Sequence, residues 1–440
     1  MSAPTVNTPT RTWQNWAGNQ RAHVRRIATP HSTAQVAETV REAVDQGLKV
    51  KPVGSGHSFT PVAATDGVLV RLDQLTRLRS ADRASGLVTV EAGMPLWRLN
   101  ELLAEQGLAL TNMGDIQAQT VSGAIGTGTH GTGRTSASIA AQVAGLEIVL
   151  ADGSVVTCTA NEHPGLFEAA RIGLGCIGVI TAVTFRTEPG FLLTAREEPL
   201  PFDVVLDTFE ELWSENEHFE FFWFPHTGAT MTKRNNRSPG PAHPLTRRRA
   251  WLEDEFLANT AFAAACRLGR TAPRAIPGIN KITSKALSSR TYTDRSDKVF
   301  TSPRTFKFLE MEYALPREAA TAALREVRRA IDGSGLKISV PVEVRTAPAD
   351  DLWLSTAHGR DSAYLAFHMF QGSSPAEYFD SIEEIMVAHD GRPHWGKLHT
   401  RDAEYLAAAY PKFEEFLAVR EKTDPDRVFG NEYSRRVLGS

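Results

Sequence analysis

The first 188 residues switch between helical and strand-like hydrophobic periods, and glycines separate the segments. Val36, Val40 and Ala43 recur at helical spacing and predict a helix that ends at Gly47. Strands are predicted over residues 48–53, 68–72, 87–91, 146–150 and 177–185, with a second helix over residues 95–106. This mixture predicts an α+β fold for the first part of the chain.

Beyond residue 188 the pattern changes. Residues 236–290 are rich in Arg, Pro and Ala and alternate little, which predicts helices and loops. Residues 306–313 and 338–345 alternate as strands around a helix at 316–332, and a further helix is predicted at 404–421. We therefore expect a first domain over 1–188, a second over 189–385, and a segment over 386–440 that returns to the first domain.

Composition limits the classes of partner. A chain of 440 residues is too long for one core, and 42% hydrophobic with 22% charged residues is typical of a globular protein. The net charge is −3, and the three arginines at 247–249 are followed by three acidic residues at 253–255. No nucleic acid partner is expected from this balance.

The cysteines and the N-terminus bear on the compartment. Cys158, Cys176 and Cys266 are odd in number and widely spaced, which argues against a disulfide framework and a cysteine zinc site. The N-terminus has no apolar signal region, and no stretch approaches the roughly 18 apolar residues of a membrane span. We expect a soluble, cytoplasmic protein without a membrane span.

A glycine turn with one histidine follows the strand at 48–53. Its sequence is Gly54-Ser55-Gly56-His57-Ser58. Such a loop offers backbone donors to a phosphate and holds an imidazole at a fixed point, as in a flavin site with a histidine tether. A plain strand-end turn with an incidental His57 is the alternative.

Two more glycine runs follow. Gly126, Gly128 and Gly131 form a G-x-G-x-x-G pattern, with Asp152 at about the spacing of ~20 residues that a nicotinamide cofactor site requires. Residues 112–120 before it are polar rather than strand-like, which disfavours that interpretation. The third run, over residues 173–178, leads into a strand, and a tight turn is its alternative.

Taken together, the motifs resemble the vanillyl-alcohol oxidase type flavoproteins, in particular their gulonolactone oxidase and dehydrogenase branch. The resemblance covers nearly the whole chain and includes residues 53–60, 126–133, 175–179, 342–345, 394–397 and 431–436. It implies a two-domain flavoprotein, with an FAD-binding domain of the PCMH type and an α+β substrate (cap) domain.

The same resemblance implies that His57 is bonded to the 8α-methyl carbon of FAD. Residues 112–124 contain no cysteine for a second link, so a single tether is implied. The residues that would hold FAD are Gly54, Ser55, Gly56, His57, Ser58, Gly123, Gly128, Thr129, Gly131, Gly133, Gly178, Ile180 and His394. A histidine bond would prevent cofactor loss and raise the flavin's reduction potential.

Glu343 and Arg345 lie two apart on a predicted strand, so both side chains project to one face. An exposed ion pair, worth roughly 0–1 kcal/mol, is the alternative. The resemblance implies that Glu343 and Arg345 bind the hydroxyls and the lactone oxygen, and that Arg345 and Lys397 stabilise the developing alkoxide. The group that takes the proton stays open, and a Lys397 of lowered pKa is one option.

The substrate and the electron acceptor depend on single positions. Thr129 and His368 complete the expected substrate site. Polyol-oxidising relatives carry threonine where His368 aligns, which favours a lactone. Gly128 matches the glycine of the oxidases, with alanine in dehydrogenases, and so favours dioxygen as acceptor and hydrogen peroxide as product. The alternative is that glycine at 128 serves only the backbone geometry of the loop.

We therefore expect an enzyme with covalent FAD that oxidises the C2 hydroxyl of an L-gulono-1,4-lactone-type substrate by hydride transfer to flavin N5. An alditol oxidase, a lactone dehydrogenase using another acceptor and, less favoured, a nicotinamide dehydrogenase are the alternatives. His389, His394 and His399 lack the spacing of a zinc site, so no metal is expected.

Overall fold

The computed structural model describes residues 11–135 and 138–439. The first ten residues, on which the expectation about a signal segment partly depends, lie outside them. The elements of the N-terminal part are β1 (Arg11–Gln14), β2 (Arg21–Val24), β3 (Arg26–Ala28), α1 (Thr33–Asp45), β4 (Val50–Val53), β5 (Val68–Arg71), β6 (Leu78–Asp82), β7 (Leu87–Glu91), α2 (Leu96–Glu105), β8 (Leu108–Ala109), α3 (Val121–Gly126), β9 (Val143–Val149), β10 (Val155–Thr159), α4 (Pro164–Arg171), β11 (Val179–Arg186) and β12 (Glu188–Pro189).

The rest of the described chain holds one large sheet, its helices and a helical C-terminus. Its elements are β13 (Leu192–Pro201), α5 (Phe202–Asp207), α6 (Phe209–Ser214), β14 (His218–Trp223), β15 (Ala229–Ser238), α7 (Arg247–Ala250), α8 (Phe262–Thr271), α9 (Ile276–Lys285), β16 (Arg290–Arg295), α10 (Ser296–Phe300), β17 (Phe308–Pro316), α11 (Ala320–Ser334), β18 (Val342–Ala347), β19 (Ser362–Phe370), α12 (Ala376–Ala388), β20 (Arg392–Pro393), α13 (Ala403–Ala409), α14 (Phe413–Thr423) and α15 (Glu432–Leu438). A π-helix (Trp251–Ala261) joins α7 to α8, and 3-10 turns cover Ala140–Gln142, Pro273–Ala275 and Arg317–Ala319.

Two larger sheets form the N-terminal part, beside the two-stranded pairs β1-β2 and β12-β8. The parallel sheet has the order β3-β5-β4, and the antiparallel sheet has the order β10-β9-β11-β7-β6. Helix α1 is capped by Ser32, which accepts from the backbone N–H of Gln35, and it buries Val36, Val40 and Ala43 as the sequence predicts. Because β4 ends at Val53, the first glycine turn begins at the carboxyl end of a buried parallel strand.

One eight-stranded antiparallel sheet dominates the second part, in the order β16-β13-β15-β14-β18-β19-β17-β20. Side chains alternate across it with the period of two. One face carries apolar residues such as Phe221, Val344 and Leu365, which pack with α5, α11 and α12 into a buried core. The opposite face is free to line a cavity. The sheets and helices of both parts confirm the α+β class expected from the sequence.

The C-terminal helices pack against the N-terminal core. Leu406, Phe413 and Val437 belong to the same buried cluster as Val40 and Val50. The predicted single helix over 404–421 is wrong: α13 ends at Ala409 and α14 begins at Phe413, because Pro411 between them lacks an N–H and cannot continue a helix.

The predicted domain boundaries fall inside elements. The boundary at 188–189 lies within β12, and the boundary at 385–386 lies within α12. Among the described residues, every helix is too short or too polar to cross a membrane.

Candidate active site

A cleft lined by the three glycine runs lies beside the parallel sheet. Its walls include residues 54–58, 122–123, 126–127 and 173–175. Two glycines are required by close approach: a Cβ at Gly54 would lie 2.1 Å from Thr120 Oγ1, and one at Gly178 would lie 2.6 Å from Val149 O. At Gly126 a Cβ would meet nothing within 4 Å, so a side chain there would enter the cleft. The glycines thus leave a long cradle in which the backbone can be approached closely.

His57 lies where this cradle meets a second, larger cavity of about 560 Å³. Ser58, Gln119 and Thr127 also line both spaces. The imidazole stacks on the Trp16 ring, with centroids 5.1 Å apart and planes 25° apart. The cradle and the cavity are therefore one continuous space, and His57 is held at the junction.

The His57 ring is neutral at pH 7. Burial, with a smaller contribution from the Lys397 charge, lowers the pKa of the imidazole to about 4. Its Nδ1 atom is buried and has no hydrogen-bond partner in the described part of the chain. A neutral, fixed ring beside a glycine cradle fits a flavin dinucleotide, because the backbone N–H groups of the glycine turns would hold a pyrophosphate and His57 would contact the flavin.

The strand β18 brings Glu343 and Arg345 to the larger cavity on one face. The Arg345 guanidinium lies 2.6 Å from Asp115 Oδ1 and 3.1 Å from Glu220 Oε2, and it also pairs with Glu343. Burial opposes the charge of Arg345, but the acidic groups around it, Asp115 above all, raise its pKa well above the usual value. Arg345 is therefore a permanent, rigidly held cation.

Glu343 titrates unlike an ordinary carboxyl. Burial raises its pKa, the Arg345 charge opposes that shift, and the negative charges of Asp115 and Glu220 add to it, so that the value reaches about 8. The Glu343 side chain is therefore mostly protonated at pH 7 and can exchange a proton near neutral pH.

Lys397 approaches the cavity from the loop after β20. Its Nζ lies 2.5 Å from Glu310 Oε1 and 3.8 Å from Glu312 Oε2. Burial acts to lower the pKa of Lys397, but the two carboxylates outweigh it and the pKa is raised. The option of a Lys397 with a lowered pKa is therefore wrong. The sequence pattern did not show that two carboxylates face this ammonium.

Three histidines complete the polar end of the cavity. His368 Nδ1 is 3.1 Å from Pro341 O, and burial lowers the pKa of this ring. His394 accepts a hydrogen bond at Nδ1 from the N–H of Gly396, and burial lowers its pKa to about 3. His130 Nε2 lies 3.2 Å from Glu312 Oε1, and its ring stacks on Tyr364.

The remaining predicted residues divide between the two spaces and the backbone around them. Gly54, Ser55, Gly56, Gly123, Gly178 and Ile180 line the cradle, whereas Thr129, His368 and His394 line the larger cavity. The structure does not bring Gly128, Gly131 or Gly133 to the wall of either space. Gly131 is fixed by close packing, since a Cβ would lie 2.1 Å from Met113 O, and the N–H of Gly133 donates to Thr346 O.

Gly128 has φ +75°, a conformation that favours glycine. A Cβ added there would lie 3.5 Å from Ile172 Cδ1. This backbone conformation is by itself a sufficient reason for glycine at 128, so the position does not distinguish the two interpretations.

The nicotinamide alternative lacks its structural context. Gly126 ends the six-residue helix α3 instead of following a strand. Asp152 lies in the turn between β9 and β10 and accepts a hydrogen bond from the N–H of Ser154. The described residues around Gly126 do not form the strand, turn and helix that a dinucleotide fingerprint requires.

Among the described residues, two groups of possible metal ligands lie at the cavity: His130 with Glu312 and His394, and Asp115 and Glu343 with Glu220 behind them. In each group a protein cation, Lys397 or Arg345, already faces the carboxylates. The sequence triad is dispersed: His389 pairs with Glu326, and His399 Nε2 lies 3.1 Å from the Tyr433 hydroxyl.

Sequence reasoning missed four carboxylates of the site. Glu310 and Glu312 carried a signal, because they alternate with apolar residues on the predicted strand at 306–313 and share one face. Asp115 and Glu220 carried none, since only the fold brings them to Arg345.

Comparisons with known proteins agree with this geometry. A family model described as D-arabinono-1,4-lactone oxidase matches residues 183–437, and one described as FAD binding domain matches residues 24–159. The chain is 40% identical to the L-gulono-1,4-lactone dehydrogenase of Mycobacterium tuberculosis, covering 97% of this chain and 99% of that protein. It is 33% identical to the L-gulonolactone oxidase of Mus musculus, over 97% and 98% of the two chains.

More distant similarities fit the same architecture. The alditol oxidase of a Streptomyces species is 31% identical over 96% of this chain and 98% of its own. Among solved structures, the cholesterol oxidase of B. sterolicum superposes with a TM-score of 0.84 at 18% identity, covering 99% of this chain and all of that one. This structural likeness concerns the fold alone.

Proposed function

The chain belongs to the D-arabinono-1,4-lactone oxidase family of FAD-dependent oxidoreductases, and from that premise we propose that it oxidises the C2 hydroxyl of an L-gulono-1,4-lactone-type substrate. The observation that carries the proposal is the convergence of Glu343, Arg345 and Lys397 on the cavity that continues from His57. The two relatives at 40% and 33% identity are both named for gulonolactone. His368, where polyol-oxidising relatives have threonine, also favours a lactone over an alditol.

FAD, when bound, supplies the acceptor for the hydride that leaves the carbinol carbon. The protein must remove the hydroxyl proton at the same time. Glu343 does this as its carboxylate, and a pKa of about 8 suits a group that exchanges protons near neutral pH. It gains the proton at a carboxylate oxygen and later releases it to solvent.

Arg345 and Lys397 stabilise negative charge on the substrate oxygen. Both cations are fixed by carboxylates before substrate arrives, so no reorganisation is needed during the reaction. Removal of one preorganised donor to such an oxygen typically costs about 10²–10³ in kcat.

We propose a single covalent link between His57 and the 8α-methyl carbon of FAD. A neutral imidazole retains the lone pair that such a bond requires, and the pKa of about 4 keeps His57 neutral. Trp16 fixes the plane of the ring by stacking.

We propose dioxygen as the electron acceptor, with hydrogen peroxide as product, and the similarity to the L-gulonolactone oxidase of Mus musculus supports this proposal. A lactone dehydrogenase that uses another acceptor is the second candidate, favoured by the name of the M. tuberculosis relative. A reducing, cytoplasmic compartment is also proposed, in keeping with Cys158, Cys176 and Cys266, which are all free and buried.

Steady-state kinetics of the purified holoenzyme with L-gulono-1,4-lactone and with xylitol test the proposal. We expect kcat/KM at least about tenfold higher for the lactone, and a fall of about 10²–10³ in Arg345→Ala with the flavin spectrum preserved. Arg325→Ala, which removes an exposed arginine paired with Asp207, is the matched control. A preference for xylitol would make the enzyme an alditol oxidase, and lactone oxidation without oxygen uptake would make it a dehydrogenase.

A further inference from the structure

The larger cavity changes character along the strands that line it. On β14, Glu220 belongs to the charged end, and Phe222, two residues on, faces the cavity beyond it. Met231 of β15 pairs in register with Phe222, and Phe224 follows on the same side. The polar part of this sheet face thus ends at Glu220 and Glu343. An apolar region begins two residues further along β14, at Phe222.

Helices cover this apolar region. The π-helix and α8 turn Leu257, Ala261 and Ala265 towards the cavity at intervals of four residues, which places them on one helical face. Phe262 lies beside them on the same wall. We call the outer chamber the part of the cavity lined by Phe222, Phe224, Met231, Leu257, Ala258, Ala261, Phe262, Ala265, Ile282, Ala286 and Leu287.

The charged groups at the edge of the outer chamber are occupied with one another. Arg290 lies 2.7 Å from Glu197 Oε2 and 2.7 Å from Asp254 Oδ1. Glu253, also at this edge, pairs with both Arg249 and Arg290. The chamber therefore offers apolar walls and closed ion pairs, in contrast to the substrate-facing end of the cavity.

The chamber is open to the outside. Leu257 is 50% exposed and Ile282 is 73% exposed, although both line the cavity. Apolar side chains at the open mouth of a cleft remain in water unless a ligand covers them, and contiguous exposed patches of this kind mark binding grooves. A polyhydroxylated lactone at the charged end would leave these walls uncovered.

We propose that the outer chamber binds an alkyl or acyl chain carried by the substrate, so that the preferred ligand is an amphiphile with a lactone or polyol head at Glu343 and an apolar tail between the π-helix and α9. The identity of the head rests on the proposed function. The tail contributes through burial of its methylene groups, about fourfold in affinity for each one that is fully buried.

Esters of L-gulono-1,4-lactone acylated at the C6 hydroxyl, from acetyl to octanoyl, test the tail in turnover. We expect KM to fall by up to about fourfold per added methylene until the chamber is filled, with kcat nearly constant. Alkyl β-D-glucosides from methyl to octyl, titrated calorimetrically into the holoenzyme below their micelle concentrations, test binding without turnover. Tighter binding with a more negative heat-capacity change is expected as the chain lengthens.

Filling the chamber separates it from the charged site. Ala265→Trp should abolish the dependence on chain length in both series and leave KM for the unsubstituted lactone unchanged. Ala264→Phe places a bulky group on the exposed side of α8 and is the matched control. Leu257→Asp, at the exposed mouth, gives a second variant that does not challenge the core.

The proposal is overturned if KM and affinity do not depend on chain length in the wild-type enzyme. It is also overturned if this dependence persists in both Ala265→Trp and Leu257→Asp. If octyl glucoside binds as expected but no lactone is oxidised, the outer chamber stands and the proposed function fails. If the plain lactone is oxidised without any preference for its esters, the function stands and the amphiphile is wrong.

Discussion

The Nζ atom of Lys397 lies 2.5 Å from Oε1 of Glu310, inside the cavity that also holds Glu343. This carboxylate, together with Glu312, keeps the ammonium charged despite its burial. Lys397 therefore acts as a fixed positive charge, and the task of accepting a proton falls to another group.

Glu310→Gln should narrow the pH range of activity on the alkaline side. Because the Glu310 carboxylate raises the pKa of Lys397, its removal lowers that pKa, and the cation is lost at lower pH. The measurement is kcat/KM against pH for the lactone. Glu326→Gln, which removes a partly exposed carboxylate paired with His389, should leave the profile unchanged. An unshifted alkaline limb in Glu310→Gln would show that Lys397 does not need this partner.

Glu343→Gln should lower kcat by about 10²–10⁴, the usual contribution of a general base. In the wild-type enzyme kcat/KM should rise with pH and level off above about 8, as Glu343 ionises. The variant should lose this limb, whereas Glu343→Asp should recover part of the rate together with the limb. A wild-type profile that is flat between pH 6 and 9 would contradict the role of Glu343.

Stability supplies an independent check on Glu343. Its pKa is raised on folding from 4.5 to about 8, so the neutral carboxyl favours the folded state fully below pH 4.5 and this contribution is lost as pH rises towards 8. Glu343→Gln cannot lose a proton and should show a smaller fall in melting temperature between pH 5 and 8 than the wild type.

Local patterns predicted much of the fold. The strand at residues 87–91 follows from alternation, the helix before Gly47 follows from helical spacing, and both are found. The predicted helix over 404–421 failed because a single proline outweighed an otherwise helical composition. Helices and strands were predictable where the hydrophobic pattern was not interrupted by a residue, such as proline, that favours another conformation.

The site was predictable as far as its residues lie together in sequence. Glu343 and Arg345 share a face because they are two apart on one strand, which a sequence shows directly. Glu220 reaches Arg345 because β14 and β18 pair with Glu220 opposite Arg345. Such a register depends on the tertiary fold. The raised pKa values of Glu343 and Lys397 also depend on the tertiary fold, because it brings carboxylates next to both side chains.

His57→Ala should abolish covalent attachment of the flavin. After denaturing electrophoresis the wild-type band should fluoresce under ultraviolet light, and the His57→Ala band should not, because the cofactor is then released. His31→Ala, at an exposed surface histidine, is the control for protein recovery and should retain the fluorescence. Release of all flavin from the wild-type protein in acid would show that no bond to His57 exists.

Gly128→Ala should destabilise the protein by about 1–2 kcal/mol, since φ is +75° and a Cβ in this region is strained. If Gly128 also admits dioxygen, reoxidation of the reduced enzyme by air should slow more than reduction by lactone, as stopped-flow absorbance would show. Gly107→Ala is the matched control, because its φ is +70° and a Cβ would meet nothing within 4 Å. Equal slowing of both half-reactions in Gly128→Ala would assign this glycine to backbone geometry alone.

Lys51→Met should weaken both folding and flavin incorporation. The Lys51 ammonium is buried and donates to Leu174 O at 3.2 Å, Gly175 O at 3.1 Å and Phe429 O at 3.1 Å, so it ties the third glycine run to the C-terminal segment. Methionine fills a similar volume but leaves these carbonyls unpaired, which should cost at least about 2 kcal/mol.

Lys49→Met provides the comparison for Lys51, because Lys49 is two residues earlier and makes one exposed hydrogen bond, 2.9 Å long, to Asp426 O. Its loss should change the free energy of unfolding by less than about 0.5 kcal/mol. Chemical denaturation gives the stability of each variant, and the ratio of flavin to protein absorbance gives its cofactor content. Because residues 173–175 line the cradle, Lys51→Met should lower both quantities together. A destabilised Lys51→Met protein with full flavin content would show that the Lys51 hydrogen bonds stabilise the fold but are not needed for flavin binding.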